Sequence, residues 1–412
     1  MDRYLVISSD GHAGLPPERY RDYLDPQYRE EFDRQHAARM AMLEQAGERL
    51  EMAQETEKWG KGKEYGLAGA WDSDRRNEVL DADGVAAEIL FVDGLTERNS
   101  PPFGGDLSLA AMGVEPELQW AGARAHNRWL AEFCSLCPER RLGLALVPPF
   151  WGVDQAVKEI QWAREHGLGG IMLPCMWMNQ DPYHHPKYDP IWAACQEAGL
   201  VVHFHSGPAP MHEYFGAALF GAQPGGEPPV ELPGGLGIYV TEVAWWLVRP
   251  LVFMIWGGIF ERFPKLKAVV TEGSSIWAPE LLTLMDHRYS DHHFSAKLGT
   301  GYKSHLTMKP SEYFGRNVMI GSSCMSRREA LMRHEIGLHN IMWGTDYPHP
   351  EGTWPVTRKM MTETFLGLPE DEIEAMLGGN AAAWYGFDLE KLSPLAARIG
   401  PERSWFREDG AP

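Results

Sequence analysis

A distorted (β/α)8 barrel with a helical insertion after its first strand is the fold class this sequence predicts, on three observations. Eight short apolar runs recur along the chain. Helical patterns separate them. At 412 residues the chain is long for a small domain and suits one large barrel. Near-continuous apolar strands alternating with helices pack as a parallel sheet buried on both faces, and eight of them close into a barrel.

The first run, Tyr4 to Ser9, feeds directly into Asp10-Gly11-His12. Alternation along an extended chain sets Asp10 and His12 on one face, and Gly11 lets the backbone pass close to a neighbour. Residues 13–77 are polar and helix-prone, and they read as the insertion, laid over the barrel mouth. Asp81 to Gly84 makes a turn before strand two, Ala86 to Val92. Residues 116–134 are helical ahead of strand three, Leu142 to Val147. An amphipathic helix over 153–165 precedes strand four, Gly169 to Leu173. Ile191 to Ala198 is a helix with Gly199 at its C-cap position, followed by strand five, Leu200 to His205. A Gly/Pro-rich loop over 206–237 and an apolar helix lead to strand six, Leu266 to Thr271. Strand seven is Asn317 to Gly321 and strand eight is Asn340 to Gly344. Residues 355–386 are helical. The barrel thus occupies residues 1–387, and 388–412 reads as an irregular tail. No repeat or linker divides the chain.

The composition is that of a soluble globular protein, 44% hydrophobic and 23% charged. A net charge of −19 argues against nucleic acid and anionic membranes as partners. Five cysteines, an odd number, make no disulfide framework. Cys134 and Cys137 read as two thiols on one helix face. With Asp2 and Arg3 leading straight into a strand, no signal peptide is expected, and the chain reads as cytoplasmic. Tyr239 to Phe260 is apolar enough to resemble a membrane span. Glu242, Arg249 and Pro250 interrupt it, so a buried helix or a subunit interface is the expectation.

Catalytic groups of such barrels sit at the C-terminal ends of the strands. Those ends carry Asp10 and His12 after strand one, His203 and His205 on strand five, Glu272 after strand six and Asp346 after strand eight. Metal-competent side chains at four separate strand ends point to a divalent-metal site. His292 and His293 are further candidates if their segment folds back. His184 and His185 read as surface or pocket rim. Arg76 and His349 are candidates to contact a substrate carboxylate or carbonyl. Trp71, Phe103, Trp177, Tyr214 and Trp354 are candidates for an aromatic pocket wall, with Trp177 and Trp354 counted as substrate-binding.

Six stretches together resemble the amidohydrolase-related family, the branch that includes aminocarboxymuconate-semialdehyde decarboxylase and γ-resorcylate decarboxylase. They are Ser9-Asp10-Gly11-His12, Arg76 with Asp81-Ala82-Asp83-Gly84-Val85, Phe204-His205-Ser206-Gly207, Phe263-Pro264-Lys265-Leu266-Lys267, Trp343 through His349, and Asn380-Ala381-Ala382. The resemblance runs from about residue 4 to 386. It implies metal ligands at Asp10, His12, His205 and Asp346, with His203 a further candidate, and a homodimer. Two departures stand out. Asp10 occupies the first position of the family's HxH. Glu272 stands where the decarboxylases carry their acid–base histidine. Strand four, Ile171-Met172-Leu173-Pro174, also has no lysine for a carbamylated bridge.

The resemblance implies a metal-dependent hydrolase or non-oxidative decarboxylase, using one or two ions of zinc, manganese or iron. Its substrate would be an apolar, cyclic or aromatic small molecule with a carbonyl or carboxylate. Asp346 and Glu272 are the expected catalytic groups. A non-haem iron or di-iron oxygenase on the same fold is the alternative, because a mixed imidazole–carboxylate set also suits iron. Glu272 bears on the choice. An ionised carboxylate beside a divalent ion either ligates it or joins a second one, with His203, or with His292 and His293, as expected partners.

Overall fold

The computed structural model describes residues 2–46, 58–92, 100–104, 114–175, 180–216, 232–290 and 293–407. Among the described residues, eight parallel strands form one sheet in sequence order: β1 (Ile7–Ala13), β2 (Ala87–Val92), β3 (Arg141–Leu146), β4 (Gly170–Met172), β5 (Val201–His205), β6 (Ala268–Thr271), β7 (Val318–Ser323) and β8 (Ile341–Gly344). Helices flank them: α1 (Arg29–Ala46) and α2 (Ser73–Asp83) before β2, α3 (Pro116–Ser135) before β3, α4 (Val153–Glu165) before β4 and α5 (Asp189–Ala198) before β5. Then α6 (Gly235–Trp256) precedes β6, and α7 (Ala278–Tyr289) and α8 (Pro310–Asn317) precede β7. After β8 come α9 (Thr357–Phe365), α10 (Asn380–Tyr385) and α11 (Leu389–Ile399).

Alternate residues of each strand enter two different cores. Ile7, Ile89, Phe91, Leu144, Leu146, Met172, Val269, Met319 and Met342 fill the barrel interior together with Ala381 and Ala382 of α10. Leu90, Ala145, Ile171, Val202, Phe204, Val270, Ile320 and Trp343 pack outward against the helices. This is why the strands read as continuous apolar runs: both faces are covered.

The barrel closes at β1 and β8 through a single parallel bridge, Gly11 to Tyr347, rather than a regular ladder. The His12 amide donates to the Tyr347 carbonyl at 2.7 Å, and the Asp346 amide to the Asp10 carbonyl at 3.0 Å. The Thr345 hydroxyl also donates to Asp10 O at 3.0 Å. The seam is tight enough to require Gly344, whose Cβ would stand 2.8 Å from that of Asp10. One extra residue bulges from β1 between Ser8 and Gly11 relative to β2. A bulge of this kind re-aims the side chains beside it, and here the neighbour is Asp10.

Three expectations need correction. The tail is not irregular. Asp388 caps α11 by accepting from the Glu390 and Lys391 amides, and Leu392, Ala396, Ile399 and Phe406 are buried. The Tyr4 amide donates to Pro401 O at 3.0 Å, fastening the tail to the chain entering β1. The apolar helix is not wholly buried either. Its second half, with Leu247, Leu251, Met254 and Ile255, enters the core, whereas Leu236, Ile238, Val240 and Trp245 of the first half are exposed. By length and composition α6 alone among the described helices is long and apolar enough to cross a membrane. Cys137 lies beyond the end of α3, so it does not share a helix face with Cys134, and all five cysteines are free thiols.

Candidate metal centre

The strand ends bring four of the expected ligands together. His12 Nε2 lies 3.4 Å from Asp10 Oδ1 and 3.2 Å from Asp346 Oδ1. His205 Nε2 approaches the same Asp10 oxygen at 3.4 Å. The four side chains are at most 1% exposed. The other nitrogen of each imidazole is already engaged. His12 Nδ1 is 2.8 Å from Val92 O and His205 Nδ1 is 3.0 Å from Ser206 O, so both rings donate from Nδ1 and turn Nε2 toward Asp10. That is how a ligating histidine is oriented and its tautomer set. Asp10 Oδ2 accepts from the Ser323 hydroxyl.

The donor set fits a divalent cation. His12 Nε2 and Asp346 Oδ2 are buried without a hydrogen-bond partner, an arrangement that is costly unless something else meets them. Burial by itself disfavours charge on these groups, yet their neighbours override it. The His205 and His12 imidazoles hold the Asp10 carboxyl well below the usual carboxylate range. His349 and His12 hold that of Asp346 down. Asp10 and Asp346 in turn push His12 well above its ordinary value. Glu272 behaves in the opposite way. Burial, and then the negative charge of Asp346, pushes its carboxyl up to about 8. Two buried ionised carboxylates, Asp10 and Asp346, carry the charge that one divalent ion would balance.

Glu272 and His349 complete the cluster. Glu272 Oε2 accepts from the Ser206 hydroxyl and lies 3.3 Å from His205 Nδ1. His349 stacks on His12 with ring centroids 3.8 Å apart, and its Nδ1 sits 3.0 Å from Asp346 Oδ1. The expected role of His349 was substrate contact; the structure sets it against the ligands themselves. Glu272 and Asp346 both adopt left-handed backbone, φ 68° and 57°. Two other non-glycine residues beyond strand ends, Ser274 and Cys324, do the same. Such strain clusters where side chains are aimed for function.

Other expected site residues lie elsewhere. His203 faces the same barrel interior as His205, but its Nδ1 points at the carbonyls of Ile171 and Val201 and its Nε2 accepts from Tyr385 Oη at 2.8 Å. Burial pushes it down to about 3, so it is a neutral floor residue. His293 caps a surface turn through Ser295 and makes no approach to the site. His292 and Trp177 lie outside the described residues. Trp354 packs against Trp59 and Tyr347, at the insertion.

Arg76 is fully buried and its guanidinium is committed. It grips both carboxylate oxygens of Glu88, at 2.6 and 2.8 Å, and donates to His12 O at 2.8 Å and Gly69 O at 3.0 Å. It is therefore a brace behind β1, not a substrate contact. Gly11 gives it room: a Cβ there would stand 3.2 Å from the guanidinium. Arg76→Met is expected to cost about 3–5 kcal/mol in chemical denaturation, because it strands a buried carboxylate. The double variant Arg76→Met/Glu88→Leu should recover most of that; no recovery would mean that the bond to His12 O, rather than the ion pair, matters.

Ser206 is read in the sequence only as part of the strand-five stretch, and Ser323 and Glu351 are not read at all. Ser323 ends β7, the one late strand end not inspected for donors. Glu351 lies two residues beyond His349 in the same loop.

Comparison with known proteins agrees with this architecture. A family model described as amidohydrolase matches residues 104–387. A 2-amino-3-carboxymuconate-6-semialdehyde decarboxylase of Dictyostelium discoideum is 24% identical over 328 residues, 78% of each chain. The 5-carboxyvanillate decarboxylase of Sphingomonas paucimobilis superposes with a TM-score of 0.60 at 21% identity, over 93% of this chain and 100% of that one. The 5-carboxyvanillate decarboxylase of Novosphingobium aromaticivorans, complexed with manganese and 4-hydroxy-3-methoxy-5-nitrobenzoic acid, gives 0.63 at 20% identity, over 93% and 97%. At these identities the likeness to the solved structures is one of fold.

Proposed function

We propose that this chain, which belongs to the amidohydrolase family, is a metal-dependent non-oxidative decarboxylase of an apolar, cyclic or aromatic carboxylate. The observation that carries the reading is the convergence of Asp10, His12, His205 and Asp346 at the barrel mouth, with His12 Nε2 and Asp346 Oδ2 buried and outside any hydrogen bond. The relatives named above, decarboxylases of small carboxylates, support it. A divalent ion held by these four residues supplies a Lewis acid for substrate oxygen atoms.

The protein's own part is orientation and proton transfer. Val92 O and Ser206 O fix the two imidazoles, and His349 braces Asp346. In the reaction the bond to the carboxylate carbon breaks, CO2 leaves, and the electron pair left on the substrate carbon takes a proton. Glu272 delivers that proton. Its carboxyl is held by Ser206 next to the ligand set, and it occupies the strand-six position of the acid–base group. The test is release of CO2 from a panel of hydroxylated aromatic and unsaturated carboxylates. Release should occur with manganese or zinc and stop after chelation. Turnover that survives complete chelation would remove the metal from the reaction, and hydrolysis without CO2 would favour the amidohydrolase alternative.

The exposed first half of α6 is covered, in this reading, by a second copy of the chain. Leu236, Ile238, Val240 and Trp245 present an apolar face that a soluble monomer leaves in water at a cost. Light scattering is expected to give a dimer at micromolar concentration, and Trp245→Glu to shift it towards monomer. A wild-type monomer would exclude this.

A further inference from the structure

Beside the first set of donors lies a second. Glu272, Asp346, His349 and Glu351 each offer one atom, and these atoms all lie within 4.8 Å of one another. Asp346 belongs to both sets, so the two positions are adjacent. Two observations separate this group from an ordinary acidic surface. His349 is only 9% exposed, and its Nε2 finds no hydrogen-bond partner. Asp346 is 1% exposed, and while its Oδ1 meets His349 Nδ1 at 3.0 Å, its Oδ2 has no partner.

We propose that Glu272, Asp346, His349 and Glu351 form a second, weaker divalent-cation site, and that filling it withdraws Glu272 from proton transfer, so that excess metal inhibits the enzyme. The inference rests on the reading above, which gives the first ion and the role of Glu272. One imidazole and three carboxylates suit manganese or zinc. The site is weaker because Glu351 is exposed and water competes for the ion on that side. Inhibition follows from mass action at one carboxyl. A cation seated on the Glu272 oxygens occupies the atoms that would hand the proton to the substrate, so the carboxyl cannot serve both. The partners expected from the sequence for such an ion, His203 and His293, are both engaged elsewhere.

The experiment titrates Mn(II) into the metal-stripped full-length protein, followed by calorimetry and by the electron paramagnetic resonance of free and bound ion. Wild type is expected to take up two equivalents, the second more weakly. In Glu351→Gln the first equivalent should persist and the second weaken by about tenfold or more, since even outer partners of a metal site are worth about 10–100-fold. Glu351 is exposed, so this variant should fold normally, with circular dichroism as the control. Decarboxylation should rise through the first equivalent and fall through the second. Uptake of one equivalent at any excess, or a second equivalent unchanged in Glu351→Gln, overturns the proposal while leaving the first site intact. Uptake of none overturns both. Activity that rises through the second equivalent refutes inhibition and favours a two-ion enzyme.

Discussion

His205→Ala is expected to remove the metal and the activity together while leaving the far-ultraviolet circular dichroism nearly unchanged. The ring contributes little to the fold that alanine does not. It sits at the last position of β5, where backbone pairing with β6 runs through residue 205 whatever the side chain. Its chemical contribution is specific. Nε2 faces Asp10, and the Ser206 carbonyl holds the ring in that orientation. Losing one of two such imidazoles removes far more than the loss of an outer partner, which alone is worth about 10–100-fold in affinity. Elemental analysis after dialysis, set beside the thermal midpoint, is the check. Full metal occupancy in the variant would show that His12 and the two aspartates suffice. His349, stacked on His12, would then be the imidazole to examine next.

Why were the strands legible and some of the site not? Every strand was found because each is an apolar run covered on both faces, and the ends differ by only a few residues from those predicted. Alternation then placed Asp10, His12 and His205 on the inward face. It fixes the face but not the depth. His203 shares the face of His205, yet two residues along a strand amount to about 6–7 Å. That distance takes His203 one layer down the barrel, to Tyr385. The Arg76 brace is a pair between α2 and β2, and only a charged residue inside the apolar run Ala86 to Val92 hinted at it. That residue is Glu88. The tail was misread because Pro394 and Gly400 look like breakers. Leu389, Leu392, Ala396 and Ile399 nevertheless repeat at helical spacing, and Asp388 stands at the cap position. The left-handed conformations of Glu272 and Asp346 leave no trace in sequence, because neither residue is a glycine. They arise from the seam and loop contacts that surround these residues, which are set by the fold as a whole.

Glu272→Gln is expected to keep the first ion and lose most of the turnover, by about 10²–10⁴-fold, the usual worth of a positioned proton carrier. The substitution keeps the shape of the side chain and still accepts from the Ser206 hydroxyl. What it removes is the exchangeable proton. Asp10, His12, His205 and Asp346 are untouched, so manganese affinity at the first site should change little. The substrate KM should follow it, and the loss should fall on kcat. The same measurements on Glu272→His are informative, because the family resemblance in the sequence implies a histidine at this position. An imidazole there can exchange a proton as well as the carboxyl can. Partial recovery in Glu272→His, with none in Glu272→Gln, would identify proton transfer as the role of this position. Near-wild-type kcat in Glu272→Gln would show instead that the proton comes from another group, and Asp346 with its partner His349 would be the pair to test. A large loss of the first ion in Glu272→Gln would mean that the carboxylate ligates that ion directly, and the division of labour between the four ligands and Glu272 would have to be redrawn.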